Sequence, residues 1–127
     1  MKKTSHKRLK LLVSLALLIL PVGTVQAADE PYICAKDPKI VDACFEVRGR
    51  LSFWNGAPSA RLWPVHTNRM LGIHRDNLPP ALSRHAGFDT EIWANYILCP
   101  FTKSIAGHMQ FVCIESWRNV YVRQRPQ

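Results

Sequence analysis

Long apolar runs are missing from this chain of 127 residues. The longest, Leu11 to Leu20, covers about ten positions, where a transmembrane helix requires roughly twenty. Extending it takes in Pro21, Gly23, Thr24 and Gln26, so a retained membrane anchor is disfavoured. Acidic residues are also few: nine Asp and Glu, none before Asp29. That leaves little from which to build the two carboxylates that face each other across a glycosidase cleft. No C-x-x-C redox pair occurs, no two-His, one-Glu helical spacing of a metalloprotease, and no serine in a nucleophile-elbow sequence. Internal repeats and low-complexity tracts are absent as well.

What the chain does have begins with its leader. Lys2, Lys3, Lys7, Arg8 and Lys10 precede the apolar run, and Val25-Gln26-Ala27 follows the break at Pro21 and Gly23. A basic n-region, a short apolar h-region and small residues at −3 and −1 read as a secretory signal peptide over residues 1–27, cut between Ala27 and Ala28. The expected location is therefore exported, periplasmic or secreted, with no membrane span after cleavage. No cysteine lies close enough to the h-region for lipid attachment. The formal charge of +8 is largely the leader's: five of the seventeen basic residues sit in it, leaving twelve against nine acidic ones, or +3. So modest a surplus lacks the basic footprint of a nucleic-acid binder. Nine of those twelve are arginines, the cation better suited to planar recognition of carboxylates and other anions.

About one hundred residues then remain, enough for one domain with a single core. Cys34, Cys44, Cys99 and Cys113 all belong to this part. An even count in an oxidising compartment implies two disulfides with three connectivities to choose from. Chain order favours Cys34 with Cys44 and Cys99 with Cys113, each closing a short loop worth roughly 3 kcal/mol. Pairings of Cys34 with Cys99 or with Cys113 stay open.

Residues 28–42 read as an irregular N-terminal segment broken by Pro31 and Pro38. From 43 to 123 the pattern is that of a β domain. Phe45, Val47, Leu51 and Phe53 share one parity while Glu46, Arg48, Arg50 and Ser52 share the other, the period of a strand with one buried face. Gly49 falls on the apolar parity and marks a bulge or a close backbone approach. Asn55-Gly56-Ala57-Pro58 supplies a turn. Strands follow at 59–65, ended or placed at an edge by Pro64, and at 69–74 after a Thr67-Asn68 turn. Asp76 and Asn77 are placed to cap a short helix through Pro79 and Pro80 that ends near Gly87. Further strands are expected at 90–99, 109–115 and 120–123, before a polar tail at 124–127. Gln110, Val112 and Ile114 alternate with Met109, Phe111 and Cys113, so the 109–115 strand looks apolar on both faces and thus covered on both sides. The fold class is mainly β: a small antiparallel sandwich or barrel of five or six strands with one short helical segment.

Two segments, Gly49-Arg50-Leu51-Ser52 through Asn55-Gly56-Ala57-Pro58 to Arg61-Leu62-Trp63, and Gly107-His108-Met109-Gln110-Phe111-Val112-Cys113-Ile114-Glu115-Ser116, resemble a group of small exported bacterial proteins of unassigned function. The resemblance spans residues 43–122. It implies a secreted bacterial setting and a β domain, and it brings no catalytic residues with it.

Chemistry-bearing residues are scattered. His66, His74, His85 and His108, with Asp76, Asp89 and Glu115, are the available metal donors. Pairing 59–66 with 69–74 sets His66 and His74 at opposite ends, and oxidised cysteines offer no thiolates. Ser104 near His108 and Ser116 near Glu115 lack the orienting third group of a hydrolase. No catalytic, metal or cofactor site is assigned. The better clue is aromatic and cationic: Trp54 by parity shares a face with Arg48 and Arg50, and Trp63 follows Arg61. Arg48, Arg50, Trp54, Arg61 and Trp63 form the candidate interaction surface, of the residue types that dominate binding hot spots. The reading is a non-enzymatic binding or structural protein of the cell envelope or periplasm, its partner a protein or an envelope component and not a nucleic acid. A small secreted hydrolase and a periplasmic metal-binding protein are the alternatives.

Overall fold

The computed structural model describes residues 33–126; the leader and the start of the N-terminal segment lie outside the described residues. Five strands form a closed barrel: β1 (Phe45–Phe53), β2 (Ala60–Pro64), β3 (Leu71–Ile73), β4 (Thr90–Pro100) and β5 (Gln110–Gln124). Around the barrel they run β1-β2-β3-β5-β4, with β4 closing back onto β1. Every pairing is antiparallel except β3 with β5, which is parallel. The sheet is therefore mixed, and it is a barrel rather than a sandwich. This strand order, with a helix between β3 and β4, is that of the five-stranded Greek-key barrel of the OB type. A fold by itself assigns no ligand.

The period-two pattern dictates the layout. Leu51 and Phe53 of β1, Leu62 of β2, Ile92, Ala94, Tyr96 and Leu98 of β4, and Val112 and Ile114 of β5 fill the barrel, with Leu71 and Ile73 of β3. The Tyr96 hydroxyl donates to the Ile92 carbonyl at 2.7 Å, so the one large polar side chain in the core is satisfied. Burial pushes that phenol well above its usual range, against a smaller opposing influence from Arg48. Gly49 is a close approach: a Cβ there would stand 2.7 Å from Leu62 Cδ2 and 3.1 Å from the Trp63 carbonyl. The turn after β1 closes through Trp54 N–H to the Ser59 carbonyl at 2.9 Å. Gly56 takes φ +113°, which a side chain would resist, and the Ala57–Pro58 bond is cis.

Between β3 and β4 the helical segment is one turn, α1 (Pro80–Ser83), preceded by a 3₁₀ turn at Arg75–Asn77. Asp76 and Asn77 do not cap it. Pro79 occupies the cap position and no side chain accepts the first amides; Pro80 at the first helical position has no amide to satisfy. Leu82 turns inward from α1 and closes one end of the core. The segments expected as separate strands at 109–115 and 120–123 are one strand. Asn119, at φ +55°, gives β5 an extra residue where Ala94 has a single opposing position, so β5 continues across a bulge instead of ending. Among the described residues no helix is long and apolar enough to cross a membrane.

Both disulfides join the N-terminal segment and the start of β1 to the β4–β5 pair: Cys34 with Cys113, and Cys44 with Cys99. The pairing favoured by chain order is thus corrected. Cys99 and Cys113 lie directly opposite on neighbouring strands, and each is bridged instead to the segment that crosses over them. The closed loops span 79 and 55 residues, but they are nested: with one bridge in place the other closes only roughly 25 further residues, so each still contributes about 3 kcal/mol. Cys34, Cys99 and Cys113 form a second small core with Ile40 and Phe101 against it. This is why β5 reads apolar on both faces: Val112 and Ile114 enter the barrel, while Cys113 lies beneath the N-terminal segment.

Candidate binding surface

The wet parity of β1 faces outward on the barrel wall, and the registers place its arginines beside tryptophans of neighbouring strands. Arg50 lies opposite Trp63 of β2 on one side and Trp93 of β4 on the other. Its guanidinium carbon is 5.3 Å from the Trp63 ring centroid and 5.9 Å from that of Trp93. Arg123 of β5 approaches Trp93 from the far side at 5.4 Å. The result is a row, Trp63–Arg50–Trp93–Arg123, that crosses β2, β1, β4 and β5. All three contacts are within cation–π range.

Glu91 fixes this row. Its side chain is 5% exposed and accepts from Arg123 Nε at 2.7 Å and from Trp93 Nε1 at 3.3 Å, with Arg50 Nη1 3.3 Å away. Burial works against its charge, but the hydrogen bonds from Arg123 and Trp93 and the charges of Arg50 and Arg123 outweigh it and hold its pKa below the usual value. Trp63 is anchored separately, its indole N–H donating to the Thr67 carbonyl at 3.0 Å. With both indole N–H groups committed inward, the row offers a partner ring surface and spare guanidinium donors. Arg48 extends it, donating to Asn95 Oδ1 at 3.1 Å and the Asn119 carbonyl at 3.0 Å. Arg118 pairs with Glu46, whose pKa is lowered by hydrogen bonds from Arg118 and then Asn95. Four arginines against two carboxylates leave this face cationic. The shallow depression beside Arg50 is lined by Trp63, Pro64, His66, Thr67 and Trp93.

Of the five residues proposed from sequence, Arg48, Arg50 and Trp63 come together here. Trp54 does not join them, because β1 ends at Phe53 and strand parity ceases to apply. It lies under Arg125 instead, whose guanidinium carbon is 4.3 Å from its ring. Arg61 points back to the turn, donating from Nε to the Pro58 carbonyl at 3.1 Å. Glu91, Trp93 and Arg123 were not singled out from sequence. The alternation in β4, with Ile92, Ala94 and Tyr96 buried, already put Glu91 and Trp93 on the wet face. Arg123 needed the bulge at Asn119 to be known.

The other candidates are dispersed. His74 stacks on Phe111, with ring centroids 4.8 Å apart, and His66, His85 and His108 are exposed. Ser104 and His108 share a groove with Arg69, Met70 and Gln110 that no carboxylate lines. Glu115 accepts the Ala35 N–H at 2.6 Å, bracing the N-terminal segment. Among the described residues, the one tight cluster of metal-ligand types is Cys34, Cys99 and Cys113, whose sulfurs lie within 4.8 Å of one another. All three are consumed in disulfides. No protein-family model matches the chain, and no curated protein or solved structure matches it either. The chain is a small disulfide-linked β domain whose described residues carry no evident catalytic or metal-binding cluster.

Proposed function

We propose that this is an exported, non-enzymatic binding domain that engages a protein or cell-envelope component through Arg48, Arg50, Trp63, Trp93 and Arg123. One observation carries the reading. Arg50 is held between two partly exposed tryptophans by a buried carboxylate, on a barrel stapled by two disulfides. Trp and Arg in a fixed geometry lose little entropy on binding, which is what makes such residues hot spots. The leader, and the resemblance to small exported bacterial proteins, support the compartment.

The test is a comparison of retention by solubilised envelope fractions for the native domain, for Arg48→Ala and Trp63→Ala, and for Arg84→Ala next to α1 as a control. Loss of the same bound component in the first two variants, with unchanged circular dichroism, is the expected result. Equal retention by all four proteins would remove this surface from consideration. A purified protein whose N-terminus is Ala28 is expected alongside.

A further inference from the structure

We propose that Met70, His108 and Met109 form a binding site for copper(I), with two thioethers and one imidazole as the donors. The chain has three methionines, and one of them is Met1. The fold brings the other two to one place. In the parallel β3–β5 ladder Leu71 pairs with Gln110 and Gly72 with Phe111. Met70 and Met109 immediately precede those partners, so the two strands, about 5 Å apart, deliver them side by side. Leu71 enters the barrel, which turns its neighbours Met70 and Gly72 outward. The Met109 sulfur reaches that outer face: a Cβ on Gly72 would stand 2.8 Å from Met109 Sδ. Met70 and Met109 line one open groove, and His108 lines it with them. The turn that presents His108 closes through its N–H to the Ile105 carbonyl at 3.1 Å, with Gly107 at φ +77°.

The donor set selects the ion. None of the three side chains is hydrogen-bonded or ion-paired among the described residues, so their lone pairs are uncommitted. No Asp, Glu or Cys lines the groove. Arg69 does, its guanidinium held by Gln110 Oε1, so the local charge is positive. A hard divalent ion, which depends on carboxylate oxygens, is disfavoured there on both counts. Thioethers are soft, uncharged donors with no proton to lose, and with imidazole they suit a soft monovalent ion. Unlike the four cysteines, they are not consumed by crosslinking. Met109, half-buried over Gly72 with Pro58 and Phe111 around it, is the fixed donor; Met70, with three rotatable bonds, and exposed His108 close on the ion from the solvent side. The site shares no residue with the Trp–Arg row and stands or falls separately from it.

The experiment titrates the oxidised protein with copper(I) under nitrogen against the coloured chelator bicinchoninate. In parallel, silver(I), the redox-inert stand-in, is added while the methionine methyl resonances are followed by NMR. One copper(I) per chain is expected to leave the chelator, and the Met70 and Met109 methyls should shift together and saturate at one silver(I). Met70→Leu and Met109→Leu, which keep volume and remove sulfur, should each weaken copper(I) binding by about tenfold or more with unchanged circular dichroism, and His108→Ala should weaken it too. Four results would each overturn the proposal: no copper(I) taken from the chelator, one methionine methyl shifting without the other, undiminished binding in either leucine variant, or displacement of copper(I) by excess zinc(II). The third would place the ion elsewhere on the chain, and the fourth would show that imidazole rather than sulfur holds it.

Discussion

Replacing Glu91 by glutamine probes the one buried charge in the wall of the barrel. Its carboxylate takes a charge-assisted hydrogen bond from Arg123, a second from the Trp93 indole, and a close ion pair from Arg50. A hydrogen bond to a charged group contributes about 1.5–3 kcal/mol. Arg50 and Arg123 are 28% and 43% exposed, so water partly replaces what the variant removes, pulling each pair toward the ~0.2–1 kcal/mol of an exposed one. The expected loss at neutral pH is about 2 kcal/mol, and at roughly 4–8 °C per kcal/mol for a domain of this size the melting point falls by about 10 °C. The sign with pH follows from linkage. Glu91 has a folded pKa below its unfolded one, so its contribution is complete above the ordinary glutamate range and disappears as the pH falls through the lowered folded value. Thermal melts of both proteins, followed by circular dichroism at pH 7 and at an acid pH below that lowered value, should therefore converge at acid pH. Asp42, held low by the Ala43 amide and by Lys103, and Glu46 titrate equally in both proteins and cancel. A gap of the same size at both pH values would show that packing, not charge, is at work. A gap under about 0.5 kcal/mol at pH 7 would show that solvent has erased the interaction.

Removing either crosslink by paired Cys→Ala changes should cost about 3 kcal/mol in urea unfolding, because the nested bridge that stays already shortens the loop the other closes; equal stability with and without it would contradict the loop argument. Cys44→Ser leaves a Cys99 thiol within 4.8 Å of the sulfurs of the other bridge, so peptide mapping after incubation at mildly alkaline pH should find Cys34–Cys99 and Cys99–Cys113 beside the original pair. Gly49→Ala drives a methyl into Leu62 and should cost about 1–3 kcal/mol; combining it with Leu62→Ala should cost less than the sum of the two single changes. Ser52 is buried with a hydroxyl that finds no partner among the described residues, so Ser52→Ala should leave the melting point unchanged or raise it.

Local chemistry was legible in the sequence, and its closure in space was not. The alternation from Phe45 to Phe53 gave β1 at the observed bounds, and Gly49 on the apolar parity pointed to the close approach that Leu62 makes. Side-chain period is a property of one strand and survives without its neighbours. Register is not local, and three misreadings follow from that. The disulfides depended on which strands become adjacent, and the crossing N-terminal segment, not proximity in sequence, decided it. The segments 109–115 and 120–123 read as two strands because a bulge and a strand end leave the same mark on a pattern. Trp54 was placed by extending parity one residue beyond the strand that gave parity its meaning. The row itself follows the same division: Arg50 and Trp63 were visible one at a time, whereas Glu91, which binds the row together, is defined by what lies across from it.

The Cys34–Cys113 bridge also sets how the domain carries a mechanical load. Tension applied between the N-terminal side of Cys34 and the end of β5 crosses directly from one sulfur to the other and continues along the last strand. Residues 35–112, with nearly the whole barrel, are bypassed. Only Ile114 to Gln124 can be peeled out, an extension of at most roughly 40 Å, whereas the reduced chain would release roughly 300 Å between the same points. Oxidised, the domain is a short, nearly inextensible link between whatever lies before it and whatever is attached to its last strand.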